Sequence, residues 1–246
     1  MNSIDLNCDL GEGAGHDSDL MQLVTSANIA CGGHAGDAVT MRAAVTSALL
    51  HGVAVGAHPG FPDKEGFGRR ERFVEPRDAA AMVTTQVRAL QEVTSANCAR
   101  VGHVKLHGAL YNQASWDAAL ATSIAAAVRA IDPGLVLFAL AGSRLLAAGR
   151  SLGLRVASEV FADRTYRGDG SLTPRSQGNA LVADEDAAVE QVLGLARNGT
   201  VRSIDGGTVA LEADTICIHG DGPHPVDFAL RLRAALAAAG VEVRRM

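Results

Sequence analysis

The chain has 246 residues, of which 48% are hydrophobic, so it can bury a sizeable core as one large or two small domains. Its 22 basic and 27 acidic residues give a net charge of -5 without a basic stripe, and we therefore expect no nucleic-acid partner. The longest purely apolar run, residues 135–141, is far below the roughly 18 residues of a membrane span, and the first residues lack an export pattern. These features predict a cytoplasmic protein with no membrane partner.

Cysteine and lysine are both used sparingly. The cysteines at positions 8, 31, 98 and 217 form no C-x-x-C pair and no close metal-binding spacing, so we interpret them as reduced thiols. Lys64 and Lys105 are the only lysines among the 22 basic residues, and the rest are arginines. A lysine in this chain is therefore more informative than usual.

Seven short apolar or β-branched runs alternate with longer stretches of helical period along the chain. We predict strands over residues 4–9, 26–31, 53–57, 103–106, 135–138, 155–158 and 215–218. We predict helices over residues 38–51, 76–95, 116–131, 143–152, 184–197 and 225–239. Residues 199–213 break the alternation, and the Asp205-Gly206-Gly207 sequence among them indicates a hairpin inserted before the last strand.

This alternation, without a linker rich in proline, serine or charge, predicts one α/β domain over residues 1–246 with a parallel sheet. Seven strand–helix units are close to the number in a closed barrel. We therefore predict an irregular seven-stranded (β/α) barrel, and a doubly wound open sheet is the alternative.

Polar side chains gather at the carboxyl ends of the predicted strands, where a parallel barrel performs its chemistry. A lone histidine at a strand end is ordinarily structural, but four placed alike beside carboxylates and amides predict a functional site. The catalytic candidates at these positions are Asp9, His34, His58 and His107, and the substrate-binding candidates are Asn7, Asn28, Glu159, His219 and Asp221.

The fourth predicted strand carries His103, Lys105 and His107 on one face, which would leave three polar groups unpaired in a hydrocarbon core. An edge strand facing water is the alternative, but the flanking helices imply a strand that is covered on its outer side. Lys105 is predicted to stabilise a developing negative charge or to position an anion. If Lys105 is partly desolvated, its pKa falls and it can act as a general acid.

Two loops add further candidates. Glu12 lies in the glycine-rich residues 11–15, which lack the dinucleotide fingerprint, and the chain contains no G-x-x-x-x-G-K-[ST] sequence, so no ATP site of its own is recognisable. Glu12 is a candidate acid or base. Arg164 and Arg175 follow the sixth strand, and the guanidinium fork suits a substrate carboxylate.

A metal site is a further hypothesis from these residues. Asp9, His58 and His107 offer one carboxylate and two imidazoles from three strand ends, a set that can hold zinc or a similar divalent ion. The alternative is a metal-free acid–base site that uses the same residues.

Five motifs in the same order resemble the LamB/YcsF family over essentially the whole chain. They are DLNCDLGEG at residues 5–13, SANIACGGHAGD at 26–37, GAHPGFPD at 56–63, HVKLHGALYN at 103–112 and ICIHGD at 216–221. One departure is Leu106, where proline is expected. The resemblance implies an irregular seven-stranded barrel similar to the glycoside hydrolase/deacetylase group.

The resemblance also implies the hydrolytic opening of 5-oxo-L-proline to L-glutamate, coupled to ATP and performed with 5-oxoprolinase subunits B and C. On that basis B and C deliver a phosphate-activated lactam, and Asp9 or Glu12 orients or deprotonates water beside His34 and His58. Lys105 and His107 stabilise the tetrahedral intermediate and the phosphate, while Arg164 or Arg175 holds the substrate carboxylate.

Two other functions compete with this interpretation. One is a metal-dependent deacetylase of an N-acetylated sugar, which predicts a stoichiometric metal. The other is a non-catalytic subunit that binds a small acid and docks on its partners. A homo-oligomer is compatible with each of them.

Overall fold

The computed structural model describes residues 3–220 and 224–246. Seven parallel strands form a barrel, in the order β1 (Ser3–Leu10), β2 (Ser26–Ala30), β3 (Ala54–His58), β4 (His103–Lys105), β5 (Val136–Leu140), β6 (Arg155–Phe161) and β9 (Thr215–Ile218). The barrel is closed, because β1 pairs with β2 on one side and with β9 on the other. The closure confirms the predicted barrel and excludes the open sheet.

Helices cover the outside of the barrel. They are α1 (Asp17–Leu20), α2 (Ala38–His51), α3 (Pro76–Ala96), α4 (Gly108–Trp116), α5 (Ala118–Ile131), α6 (Arg144–Ser151), α7 (Glu185–Asn198) and α8 (Pro225–Ala238). Among the described residues none of these helices has the length and apolar character needed to cross a bilayer.

The predicted helix over residues 116–131 is wrong at its start. Trp116 ends α4, and Asp117 begins α5 because its extended backbone breaks the helix while its carboxylate accepts hydrogen bonds from the amides of Ala119 and Leu120. Helix α4 itself was not predicted, since it follows His107 without a loop.

The predicted insertion before the last strand is confirmed. β7 (Thr200–Arg202) and β8 (Thr208–Ala210) form an antiparallel pair around the predicted turn. A short final strand, β10 (Glu242–Val243), pairs with the start of β1 and was not predicted.

Strand alternation divides polar from apolar side chains. Leu6 and Cys8 of β1 belong to the main hydrophobic core, whereas Asp5 and Asn7 are equally buried and bond to polar groups of neighbouring strands. The interior face of β1 is therefore polar, and its other face packs in the main apolar core. This arrangement gives the interior charges fixed positions away from water.

Candidate functional site

A polar cavity of about 310 Å³ opens at the carboxyl ends of the strands. Its volume is at the lower end of the range for small-molecule sites. Most of the polar side chains around it are charged or can become charged. The polar lining residues are Asp9, Glu12, His58, Arg69, Glu71, Lys105, His107, Tyr111, Asn112, Arg164, Arg175, Ser176 and His219.

Lys105 is the central cation of the cavity floor. Its Nζ lies 2.9 Å from Asp9 Oδ1 and 2.8 Å from Glu159 Oε1. It also lies 3.2 Å from Asn7 Oδ1 and 3.0 Å from Cys217 Sγ, so the ammonium is held on several sides. Lys105 is 2% exposed, which confirms that its strand is covered and is not an edge facing water.

The charge state of Lys105 follows from these neighbours. Burial lowers its pKa, but the carboxylates of Asp9 and Glu159 and the adjacent thiol outweigh that effect and raise the pKa well above its usual value. The lowered pKa that desolvation alone would give Lys105 is therefore not found, and the surrounding anions favour its protonated form. Burial also raises the pKa of Asp9, but His58 and Lys105 outweigh it and hold that pKa well below its usual value.

Two buried amides hold this ion pair from below. Asn28 donates to Asn7 Oδ1 at 2.7 Å and to Asp9 Oδ1 at 2.9 Å. Asn7 donates to Glu159 Oε1 at 3.1 Å. The cavity is not lined by Asn7, Asn28 or Glu159. These buried side chains lie beneath it, where they position Asp9 and Lys105.

A second group lies beside the first and consists of Glu12, His34, His58 and His107, which we call the histidine cluster. Glu12 Oε1 is 2.8 Å from His34 Nε2, 3.2 Å from His107 Nδ1 and 3.7 Å from His58 Nε2. His34 stacks on His107 with ring centroids 3.6 Å apart and planes at 4°. The glycine-rich loop after β1 brings Glu12 to this position, since Gly11 and Gly13 on either side have positive φ angles of 76° and 84°.

Backbone carbonyls orient two of the rings. His58 Nδ1 donates to the carbonyl of Lys105 at 2.9 Å, and His107 Nε2 donates to the carbonyl of Phe67 at 2.9 Å. Phe67 has a positive φ of 52°, a strained backbone conformation for an aromatic residue. The loop after β3 therefore presents its carbonyl to His107 at a cost in local strain.

The three imidazoles differ in their affinity for a proton. Burial lowers the pKa of His34 to about 4 despite its contact with Glu12, and burial also lowers the pKa of His107. Burial acts on His58 in the same direction, but the charge of Asp9 outweighs it and raises the His58 pKa. Burial raises the pKa of Glu12, but hydrogen bonds from His107 and His34 outweigh it and lower that pKa.

The ligand atoms of the histidine cluster lie within 4.8 Å of one another and could hold a metal ion. The predicted metal set of Asp9, His58 and His107 differs from this cluster in its carboxylate and does not include His34. Asp9 Oδ2 does lie 3.2 Å from His58 Nε2, but Oδ1 is bound to Lys105, and Glu12 is the carboxylate that lies among the imidazoles.

The opposite wall of the cavity carries two arginines and a histidine–aspartate pair. Arg164 is buried and donates to the carbonyls of Thr173 at 2.6 Å and Ala180 at 3.3 Å. Burial and the nearby charge of Arg175 lower the pKa of Arg164 to about 10, so an anion between the two guanidinium groups is favoured. His219 Nδ1 lies 2.8 Å from Asp163 Oδ2.

The structure thus brings most predicted site residues to one place. Asp9, Glu12, His58, Lys105, His107, Arg164, Arg175 and His219 line the cavity. His34 does not line the cavity but contacts Glu12 and His107, which do, and Asp221 lies outside the described residues. Sequence reasoning missed Tyr111, whose hydroxyl donates to Glu159 Oε2 at 2.7 Å, although its spacing of four after His107 places both at the start of one helix.

The closed parallel barrel with a charged cavity at the carboxyl ends of its strands defines a (β/α)-barrel protein with an enzyme-like site. The chain belongs to the LamB/YcsF family, whose model matches residues 4–246.

Named relatives span the same length. The chain is 56% identical to the 5-oxoprolinase A subunit of Bordetella pertussis, over 98% of both chains. It is 53% identical to the 5-oxoprolinase A subunit of Bacillus subtilis, over 99% of this chain and 96% of that one. The crystal structure of a lactam utilization protein from Thermus thermophilus superposes with a TM-score of 0.92 at 45% identity, over 99% of this chain and 100% of that one.

Proposed function

We propose that this chain is the hydrolytic A subunit of an ATP-dependent 5-oxoprolinase, which opens 5-oxo-L-proline to L-glutamate together with subunits B and C. The observation that carries the proposal is the buried Lys105 ammonium, held by two carboxylates at the floor of a cavity sized for a small acid. The full-length similarity to proteins named as 5-oxoprolinase A subunits supports it.

ATP enters the proposal through chemistry and not through a nucleotide site on this chain. A lactam carbonyl is a poor electrophile, so transfer of a phosphoryl group to its oxygen makes attack by water feasible. Neither Lys64 nor Lys105 follows a glycine in a phosphate-binding loop, so this chain lacks that motif. We therefore assign the phosphorylation to subunits B and C, and ATP is consumed by the complex.

Water activation falls to the carboxylates next to the imidazoles. Asp9 or Glu12 orients the water and accepts its proton, with His34 and His58 beside them. Water then forms a bond to the ring carbonyl carbon, and the bond from that carbon to the ring nitrogen breaks. The nitrogen takes up a proton and becomes the amine of glutamate, and hydrolysis of the resulting acyl phosphate releases phosphate.

The remaining cavity residues bind charge. Lys105 and His107 stabilise the oxyanion of the tetrahedral intermediate and the phosphate. Arg164 or Arg175 holds the substrate carboxylate. His219 also contacts the substrate, and Asp163 at its Nδ1 fixes the orientation of the ring.

The experiment is glutamate formation from 5-oxoproline and ATP by this protein alone, by its B and C partners alone, and by all three together. The proposal expects product only in the complete mixture. No product in any mixture, with B and C shown to hydrolyse ATP, would overturn it.

Variants at the two lysines test the catalytic role of the buried one against an exposed control. Lys105→Met should abolish glutamate formation in the complete mixture, whereas Lys64→Met, which changes the exposed lysine, should leave it unchanged. Full activity of Lys105→Met would remove the assigned role. Loss of substrate affinity with unchanged turnover in Asp9 and His107 variants would instead indicate a non-catalytic binding subunit.

A further inference from the structure

Two ring nitrogens in the histidine cluster face each other without a hydrogen between them when both rings are neutral. The single hydrogen of a neutral His58 is on Nδ1, because that atom donates to the Lys105 carbonyl, and the hydrogen of His107 is on Nε2, because that atom donates to the Phe67 carbonyl. His58 Nε2 and His107 Nδ1 therefore present lone pairs to each other across 2.9 Å.

Carboxylate oxygens surround the same point. Glu12 Oε1 lies 3.2 Å from His107 Nδ1 and 3.7 Å from His58 Nε2, and Asp9 Oδ2 lies 3.2 Å from His58 Nε2. An assembly of electron-pair donors in a desolvated position requires a positive charge in its centre. Lys105 does not supply it, because its ammonium is bound to the other oxygen of Asp9.

A single proton on His58 Nε2 or His107 Nδ1 gives a hydrogen bond in one of these contacts. The remaining close contacts still join two electron-pair donors. A second proton is disfavoured, since it would place two N–H groups head to head across the 2.9 Å between His58 Nε2 and His107 Nδ1. We propose that Glu12, His58 and His107 bind a divalent transition-metal ion of zinc type.

The spacing of the donor atoms fits such an ion. Bonds of about 2.0–2.1 Å in a tetrahedral site place neighbouring ligand atoms roughly 3.3 Å apart. The three separations among Glu12 Oε1, His58 Nε2 and His107 Nδ1 are 2.9, 3.2 and 3.7 Å. The cavity adjoins all three residues, which provides a path for the ion and an open position for water.

The groups behind the ligands hold them as in a metal site. Ligating imidazoles characteristically donate their other N–H to a backbone carbonyl or a carboxylate, and both His58 and His107 do so. His34 Nε2 lies 2.8 Å from Glu12 Oε1 and fixes the carboxylate. Gly68 allows the rings to sit close to the loop, because a Cβ there would lie 2.8 Å from His34 Cβ and 3.0 Å from His107 Cδ2.

The ligand set also selects the type of metal. Two imidazoles and one carboxylate suit zinc-like ions, whereas magnesium and calcium prefer oxygen ligands alone. A neighbouring group of Asp9, Cys217 and His219 has similar spacing, but Lys105 already lies 2.9 Å from Asp9 and 3.0 Å from Cys217. Metal binding is measured without substrate, so its outcome does not depend on the proposed reaction.

The test is a titration of the chelator-treated full chain with Co²⁺, followed by absorption spectroscopy and displacement with Zn²⁺. We expect one equivalent of Co²⁺ per chain with visible bands of a four- or five-coordinate ion, full displacement by Zn²⁺, and no displacement by Mg²⁺ or Ca²⁺. Absence of stoichiometric binding to the folded chain would overturn the proposal.

Substitutions assign the ligands. Glu12→Gln and His107→Gln should each weaken Zn²⁺ binding at least 10-fold, whereas His51→Gln, at an exposed histidine on α2, and Cys217→Ser should leave it unchanged. Circular dichroism establishes that each variant is folded. Because Glu12 lies in a loop at the cavity rim, its variant keeps the test valid if a histidine variant fails to fold. Unchanged affinity in the folded Glu12→Gln variant would overturn the assignment.

Discussion

Two buried regions lie side by side at the mouth of this barrel, and their charges are balanced in different ways. Around Lys105 the carboxylates of Asp9 and Glu159 meet an ammonium at 2.9 and 2.8 Å, so the chain supplies both signs of charge. In the histidine cluster, Glu12 meets imidazoles whose free nitrogens are electron-pair donors. In the first region the chain supplies the cation, and in the second we propose that a metal ion supplies it.

The difference explains how two similar sets of strand-end residues acquire different chemistry. A buried lysine held by carboxylates is a fixed positive charge that can stabilise a developing negative charge. A buried carboxylate among oriented imidazoles is a place for an exchangeable cation or a proton. Removing the charge of Lys105 should therefore reduce stability and turnover together, whereas the histidine cluster should bind added metal and stabilise the fold.

The largest effect is expected from removing the internal cation. Lys105→Met leaves the buried Asp9 and Glu159 without their ammonium, and loss of one partner of a buried ion pair typically costs about 3–5 kcal/mol. We expect a folded protein with that loss in the free energy of unfolding, measured by urea denaturation, and no turnover in the three-subunit assay. A loss below about 1 kcal/mol would show that the pair is not desolvated as described.

Added metal should act on the other region with a smaller effect. Free Zn²⁺ at 100 times its dissociation constant stabilises the folded state by about 2.7 kcal/mol. For a chain of this size that corresponds to a rise in melting temperature of roughly 5–10 °C. Differential scanning fluorimetry should show the rise in the unmodified protein and its loss in Glu12→Gln. An equal rise in both proteins would place the metal elsewhere.

Protonation of His103, next to the Lys105 ammonium, should destabilise the folded protein. Burial and the charge of Lys105 lower the pKa of His103 to about 3, so the unfolded chain binds a proton near pH 6.5 that the folded chain refuses. Stability is therefore lost as the pH falls below about 6.5, by about 1.4 kcal/mol per pH unit from this residue.

His103→Gln tests this pH dependence, because glutamine keeps an N–H donor for Asn28 but does not titrate. Between pH 6 and pH 4 the slope of unfolding free energy against pH should be shallower than in the unmodified protein. His51→Gln, at an exposed site, is the matched control and should keep the original slope. Identical slopes in all three proteins would contradict the assignment.

The smallest effect is expected from removing an ion pair at the surface. Arg150 and Glu212 form an ion pair at 2.5 Å, with half or more of each side chain exposed. Water and salt screen such a pair, so Arg150→Met should leave the urea midpoint within experimental error of the unmodified value. A shift comparable to that of Lys105→Met would mean that burial is not what distinguishes the two pairs.

Much of the fold could be predicted from local pattern. The starts of α2 and α3 and both bounds of β9 coincide with their predictions, because capping residues, proline and β-branched runs mark them within a few residues. The predicted start of α5 was two residues early, although Asp117 is a favoured capping residue, because α4 ends directly before it without a loop. Short elements such as β10 carry too little pattern, and pairing with β1 creates them.

Local pattern identified many of the side chains at the mouth of the barrel, because alternation along a strand and the position of a strand end are local properties. How those side chains pair depends on the closed barrel. Asp9 faces Lys105 and Glu12 faces the imidazoles, although its position at a strand end made Asp9 the predicted metal ligand. The glycine-bounded turn around Glu12 and the register of seven strands set distances of about 3 Å between residues far apart in sequence, and local pattern carries no information on them.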